Sequence, residues 1–191
     1  KKIEAIIKDL IQVFFVAGDL SIELRNKGLT KNVKKDNTPV TNGDIEVNKI
    51  ILNNLKKISP SIPIVSEETS ENKNLDLNTF WLVDPIDGTY DYINNRDEFT
   101  LNAGLIINKV PKAGIIYAPG KNRMFYSYGN NLSYELKNNH EVELNNKKKI
   151  DKNNIKAVSY SNNLKPEIVE VHKKLNVKEY VKMKSSLKFC V

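Results

Sequence analysis

The 191 residues of this chain predict an α+β layered fold. Two amphipathic helical patterns occupy the first 60 residues, short strands separated by turn residues run on from Phe99, and a further strand-helix unit lies near the end. At this length roughly 70% of the unfolded surface can be buried, enough for a layered core.

Ile3, Ile6, Ile7, Leu10, Ile11, Phe14, Ala17 and Leu20 recur at three- and four-residue spacing, which predicts a helix over 3–24 with Gly28 as its stop. The polar stretch KKDNTPVTNGD ends in Thr41-Asn42-Gly43-Asp44, where a Thr cap followed three positions later by an acid starts a second helix through Ile50, Ile51 and Leu55. Ile62–Val65 reads as a short strand whose prolines place it at an edge or a strand start, and it runs into Ser66-Glu67-Glu68. Phe80-Trp81-Leu82-Val83 is a second buried strand, finishing on Asp84. Then comes an antiparallel meander: FTLNAGLII, a turn at Asn108-Lys109, AGIIYA, a turn at 119–122, MFYSY, Gly129 to Asn131, and LSYEL. Residues 137–154 read as a polar loop and boundary, dividing an N-terminal α+β domain (1–150) from the start of a C-terminal α/β domain (151–191). In the second part the strand AVSYS precedes a helix with Pro166 in its first turn and a last strand or turn leading to SSLKFCV.

The longest apolar stretch, Val13 to Ala17, falls far short of the ~18 residues a bilayer span requires. No signal peptide is visible, and Cys190 is the only cysteine, so no internal disulfide forms and a cytoplasmic location is expected. The net charge of +7 comes from scattered lysines. The one dense run, Lys147 to Lys149, reads as a solvated loop, so nucleic acid is not the expected partner, although a basic surface would gather small anions. His140 and His172 are isolated and read as surface residues, Cys190 as core, and Tyr126, Tyr128 and Tyr134 as sheet faces.

Four acids, Asp44, Glu67, Asp84 and Asp87, are each placed at a strand end or in the first turn of a helix, where loops at one side of a sheet can bring them together. Two carboxylates ~4 Å apart repel by about 4 kcal/mol at an effective dielectric of 20, so such a cluster needs protons or a cation. Oxygen-only donors favour a hard ion such as Mg²⁺ over zinc. Pro85 fixes φ and Gly88 allows close backbone approach, which lets Asp84, Asp87 and the Ile86 carbonyl face one point while the Gly88 and Thr89 N–H groups seat a phosphate. Taken alone, Asp84-Pro85-Ile86-Asp87-Gly88 reads equally well as a β-turn with an Asp cap. The upstream Glu67-Glu68, the helix-start Asp44, and Thr89 placed to share a proton with it favour a site.

The string WLVDPIDGT, with Ser66-Glu67-Glu68 upstream, resembles the signature of the inositol monophosphatase superfamily, a group of Mg²⁺-dependent and often lithium-sensitive phosphatases. The resemblance runs from about Lys34 to the last residue. DNTPVTNGD, SEET, RDEFTLN, IIYAP, the serines of SYS, and SSLKFC are most similar to its CysQ-type branch, the 3′(2′),5′-bisphosphate nucleotidases. This implies a layered α/β sandwich of the inositol monophosphatase and sugar phosphatase type. It also implies two or three Mg²⁺ ions, inhibition by Li⁺, and hydrolysis of the 3′-phosphate of adenosine 3′,5′-bisphosphate to AMP and phosphate in sulfur metabolism, in the cytoplasm or peripherally on the cytoplasmic face of the inner membrane.

By the same resemblance Glu67, Asp84 and the Ile86 carbonyl hold one metal, and Asp84 with Asp87 the second. Asp44 and Thr89 activate the attacking water, and Glu67, Ile86, Asp87, Gly88 and Thr89 line the substrate; Lys34 and Lys35, open between a solvated loop and a phosphate contact, precede Asp44 in a loop that the resemblance places near the metals, which favours the phosphate contact. Two departures stand out: Tyr90-Asp91-Tyr92 replaces a frequent Lys-Glu-Phe, and the Trp-Asp pair that supplies a further ligand in family chains has no counterpart, Trp81 being the only tryptophan. The expectation is therefore a chain truncated at its C-terminal end with its second domain incomplete. The alternatives are an inositol- or sugar-phosphate phosphatase and a catalytically impaired metal-binding remnant.

Overall fold

Helix α1 (Ile3–Lys27) and helix α2 (Asn42–Ile58) lie on one face of a seven-stranded mixed sheet in a computed structural model of the chain, which describes residues 2–34, 37–69, 76–129, 132–144, 151, 153–159 and 163–190. Strands β1 (Lys31–Val33) and β2 (Pro39–Thr41) form a small antiparallel pair between the helices. Sequence reading took this stretch as polar loop, because three-residue strands leave no alternation to detect. The main sheet runs in the order β3 (Ile64–Ser66), β4 (Phe80–Asp87), β5 (Thr100–Ile107), β6 (Val110–Ala118), β7 (Arg123–Tyr128), β8 (Ser133–Lys137) and β9 (His140–Glu143). Within this sheet, among the described residues, only β3 and β4 pair in parallel, with β3 at the edge, as its prolines led one to expect.

The period-two alternation of the strands divides the sheet into two faces. Trp81, Val83, Leu101, Ala103, Leu105, Ala113, Ile115, Tyr117, Met124 and Tyr126 point to the helices and pack with Ile7, Leu10, Phe14, Val47, Ile51 and Leu55. The Trp81 indole, fully buried, donates to Ser59 Oγ at 2.9 Å. Leu82, Asp84, Asn102, Gly104, Gly114, Ile116 and Phe125 occupy the alternate positions and so face the other way. There Phe125 packs with Ala118 and the buried Leu187.

Two-residue turns fix the register. Asn108 and Lys109 both have positive φ (52° and 61°), as do Asn138 and Asn139 (49° and 63°), matching the right-handed twist of a hairpin. The second turn joins β8 to β9 inside the segment assigned to loop, so the polar stretch from 137 carries a strand. All four β9 residues are exposed, which is why no hydrophobic alternation marked it.

Strands β10 (Ile155–Ser159) and β11 (Val177–Lys182) pair in parallel around helix α4 (Pro166–Lys174), whose proline sits in its first turn as expected. The chain then makes a short 3₁₀ turn over Ser186–Phe189. The Lys147–Lys149 run, Lys35, Tyr160 and Ser161 lie outside the described residues, as does the proposed domain boundary at 150. Among the described residues, no helix is long and apolar enough to cross a membrane. His140 is exposed, but His172 is half-buried against the Tyr180 ring at 5.3 Å, and Cys190 is half-buried rather than core.

Candidate active site

The parallel pairing of β3 with β4 brings two acid-bearing strand ends together. Ser66 lies opposite Val83, and Glu67 N–H donates to the Val83 carbonyl at 3.0 Å, which sets Glu67 beside Asp84. Strand β4 does not stop at Asp84, as its sequence led one to expect. It continues to Asp87 through a bulge: Asp84 faces Asn102 and Asp87 faces Thr100, so one extra residue on β4 is accommodated over Pro85-Ile86. A bulge tolerates proline in a sheet and re-aims the side chains on either side of it.

Gly88 follows with φ 96° and caps helix α3 (Thr89–Ile93), so the cap is the glycine rather than an aspartate. A Cβ there would lie 3.1 Å from the Glu98 carbonyl oxygen, so both backbone conformation and space call for glycine.

Asp44 reaches the same place from α2. Its Oδ2 accepts from Thr41 N at 2.7 Å and Thr41 Oγ1 at 2.6 Å, while Thr41 Oγ1 accepts from Gly43 N at 3.1 Å; this reciprocal cap fixes the carboxylate in the first turn. Its other oxygen, Oδ1, lies 3.2 Å from Thr89 Oγ1, which is also 3.1 Å from the Ile86 carbonyl. The single hydroxyl proton is shared between these two acceptors. Burial raises the Asp44 carboxyl above its ordinary range, and the Thr41 hydrogen bonds pull it back in part.

Asp84 is the most perturbed acid. Burial, then the charges of Glu67 and Asp87, with a smaller contribution from Asp44, push its carboxyl up to about 8. Its Oδ1 is buried with no hydrogen-bond partner among the described residues. Asp87 Oδ2 accepts from Ser186 Oγ at 2.7 Å, a contact across 99 positions of sequence. Lys34 Nζ lies 2.9 Å from Glu67 Oε1 and 2.7 Å from Glu68 Oε1. Burial works against the Lys34 charge, but the two carboxylates outweigh it and hold the ammonium above its ordinary range.

The four sequence-selected acids thus share one electrostatic neighbourhood, and Thr89 joins Asp44 as expected. Lys34 meets the acids themselves rather than an open phosphate seat. Among the described residues, no three Asp, Glu, His or Cys side chains form a ready-made cage for an ion. The donor set nevertheless fits a hard divalent cation: it is all oxygen, it carries a surplus of negative charge, and it includes the orphaned Asp84 Oδ1.

Sequence reasoning assigned no role to Asn102, opposite Asp84 with both amide atoms buried and unpartnered among the described residues, or to Ser186. Both lie in strings quoted for their resemblance, RDEFTLN and SSLKFC, but their proximity to the acids is tertiary. Asp84, Asn102 and Ser186 line a cavity of about 570 Å³ on the sheet face away from α1 and α2, with Leu82, Phe125 and Cys190 as apolar wall.

The sequence profile of the inositol monophosphatase family matches residues 2–191, so the likeness includes α1 as well as the motifs from Lys34 onward. The chain is 35% identical over 179 residues to the 3′(2′),5′-bisphosphate nucleotidase CysQ of Buchnera aphidicola, covering 92% of this chain and 66% of that protein. It is 37% identical over 113 residues to the protein of the same name from Escherichia coli O157:H7, covering 57% of this chain and 46% of that one. The chain therefore matches less than two thirds of the length of these relatives. Among solved structures, CysQ from Bacteroides thetaiotaomicron, a bacterial member of the same family, superposes with a TM-score of 0.74 at 25% identity, covering 96% of this chain and 74% of that one.

Proposed function

Because this chain belongs to the inositol monophosphatase family, we propose that it is a Mg²⁺-dependent phosphatase that removes the 3′-phosphate of adenosine 3′,5′-bisphosphate, giving AMP and phosphate. The observation that carries this is the Thr89 hydroxyl lying within reach of Asp44 Oδ1 and the Ile86 carbonyl, in the field of the acids that raise Asp84. The likeness to bisphosphate nucleotidases supports the choice of substrate.

Glu67, Asp84, Asp87 and the Ile86 carbonyl would hold the cations. Bound there, Mg²⁺ supplies a lowered pKa for water and neutralisation of phosphoryl charge. Asp44 is the proton acceptor, acting through Thr89: the threonine oxygen takes a proton from the attacking water as its own passes to Asp44 Oδ1. The reciprocal cap with Thr41 keeps that carboxylate aimed, and burial raises its affinity for the proton it receives. The Gly88 and Thr89 backbone N–H groups seat the phosphate. The cavity of about 570 Å³ falls in the range of small-molecule sites and begins at Asp84. Li⁺ is expected to inhibit, and the cytoplasm is the expected compartment.

Phosphate release from adenosine 3′,5′-bisphosphate is the test, run with and without Mg²⁺ and beside inositol 1-phosphate. Mg²⁺-dependent release that favours the nucleotide supports the assignment. Faster release from inositol 1-phosphate would move the substrate to the inositol class, and Mg²⁺ binding without release from either would leave a metal-binding module.

A further inference from the structure

Just before the 3₁₀ turn, Lys184 makes an ion pair that lies outside the proposed metal set. Asp91, two residues past Thr89, has a side chain only 8% exposed, and Lys184 Nζ contacts both its oxygens, at 2.8 and 3.0 Å. Arg96 adds a third contact at 3.0 Å from its more exposed guanidinium. The next residue, Ser185, has φ 52° and ψ −168°, a region that only glycine occupies without strain. Its surroundings hold it on both sides: its Oγ accepts from Leu187 N at 3.5 Å, and Lys188 Nζ donates to its carbonyl at 3.0 Å. One residue further on, Ser186 Oγ donates to Asp87.

We propose that Lys184 is a positioning residue: its ion pair with Asp91 holds Ser185 in its strained conformation and thereby keeps the Ser186 hydroxyl on Asp87. The inference rests on reading Asp87 as a metal ligand. The Ser186 hydroxyl fixes which Asp87 oxygen stays free to face a cation, and outer contacts of this kind typically change metal affinity by about 10–100-fold when removed. The motif SSLKFC, which sequence reading left without a role, becomes the segment that aims Asp87. Asp91, one of the departures from the family pattern, becomes its anchor.

The test is a double-mutant cycle on the full chain, Lys184→Met and Ser185→Gly, read by thermal melting and by calorimetric Mg²⁺ titration. Lys184→Met alone is expected to lower the melting temperature and weaken Mg²⁺ binding by about tenfold. Glycine at 185 needs no clamp, so on the Ser185→Gly background Lys184→Met is expected to cost much less in both readouts. Lys184→Arg, which keeps the ion pair, is expected to stay within about twofold of the parent, since Arg makes the same carboxylate contact bidentately. If Lys184→Met does not fold, Asp91→Asn weakens the pair from its other end and should show the same dependence on the residue at 185. Equal losses on both backgrounds, or no loss on either, overturn the clamp. A parent chain that binds no Mg²⁺ contradicts the metal-site reading instead, and the melting cycle then decides the clamp by itself.

Discussion

Thr89 Oγ1 lies 3.2 Å from Asp44 Oδ1, although the two residues stand 45 positions apart and on different helices. Neither helix positions the contact alone. The cap at Thr41 aims the carboxylate, and the left-handed Gly88 turns the chain so that Thr89 meets it.

Replacing Thr89 with Ala removes the proposed proton path while leaving the acids in place. Turnover of adenosine 3′,5′-bisphosphate is expected to fall by about 10²–10⁴, the usual contribution of a general acid-base group. Mg²⁺ affinity measured by calorimetry should change little. A variant that loses metal affinity in proportion to rate would make Thr89 structural.

Asp84 predicts a pH dependence of stability without metal. Its folded carboxyl holds a proton up to about 8, whereas an unfolded aspartate releases one near pH ~4, so between those values the native state binds more protons than the unfolded state. Its contribution to stability is therefore fully present below pH ~4 and is lost as pH rises toward 8. Melting temperatures in chelator should decline across this window, Asp84→Asn should flatten the decline, and Mg²⁺ should restore stability most at the alkaline end.

Lys34→Met removes the ammonium that bridges Glu67 and Glu68. The Glu68 side chain is only 9% exposed, so the loss leaves a nearly buried carboxylate unpaired and is expected to destabilise the metal-free chain by about 1–3 kcal/mol. Mg²⁺ should bind roughly fivefold tighter once the ammonium no longer competes for Glu67, an effect that salt diminishes. Weaker Mg²⁺ binding in this variant would show instead that Lys34 orders the acids.

Gly88→Ala combines a positive φ with a contact of 3.1 Å to the Glu98 carbonyl oxygen. A loss of about 1–3 kcal/mol in folding stability is expected from the strain, read by denaturant unfolding. Turnover should fall as well, since the residue that follows is Thr89.

Much of this architecture was legible where a single element carried its own signal. The apolar stripe of α1, the Thr41-to-Asp44 cap of α2 and the Asn108-Lys109 turn depend on neighbours in sequence, and the structure bears them out. Strand β9 was not legible because all its residues are exposed, and β1 and β2 because three residues set no period. The extension of β4 past Asp84 was hidden by Pro85, which reads as a turn unless a bulge in its own strand accommodates it. At the site, the acids and Thr89 could be chosen from strand ends and helix starts. Ser186 and Lys184 could not, because they reach Asp87 and Asp91 only through tertiary packing across more than 90 positions. Lys34, read toward phosphate, is held by Glu67 and Glu68, a pairing that only their parallel-strand placement creates.

The proposal that Glu67, Asp84 and Asp87 hold a divalent cation is tested most directly by calorimetric titration of Mg²⁺ into the chain and into its Asp84→Asn variant at pH 8. Saturable binding to the parent, weakened at least about tenfold by the substitution, is the expected result. Indifference of Mg²⁺ binding to Asp84, or no binding to either protein, would contradict it.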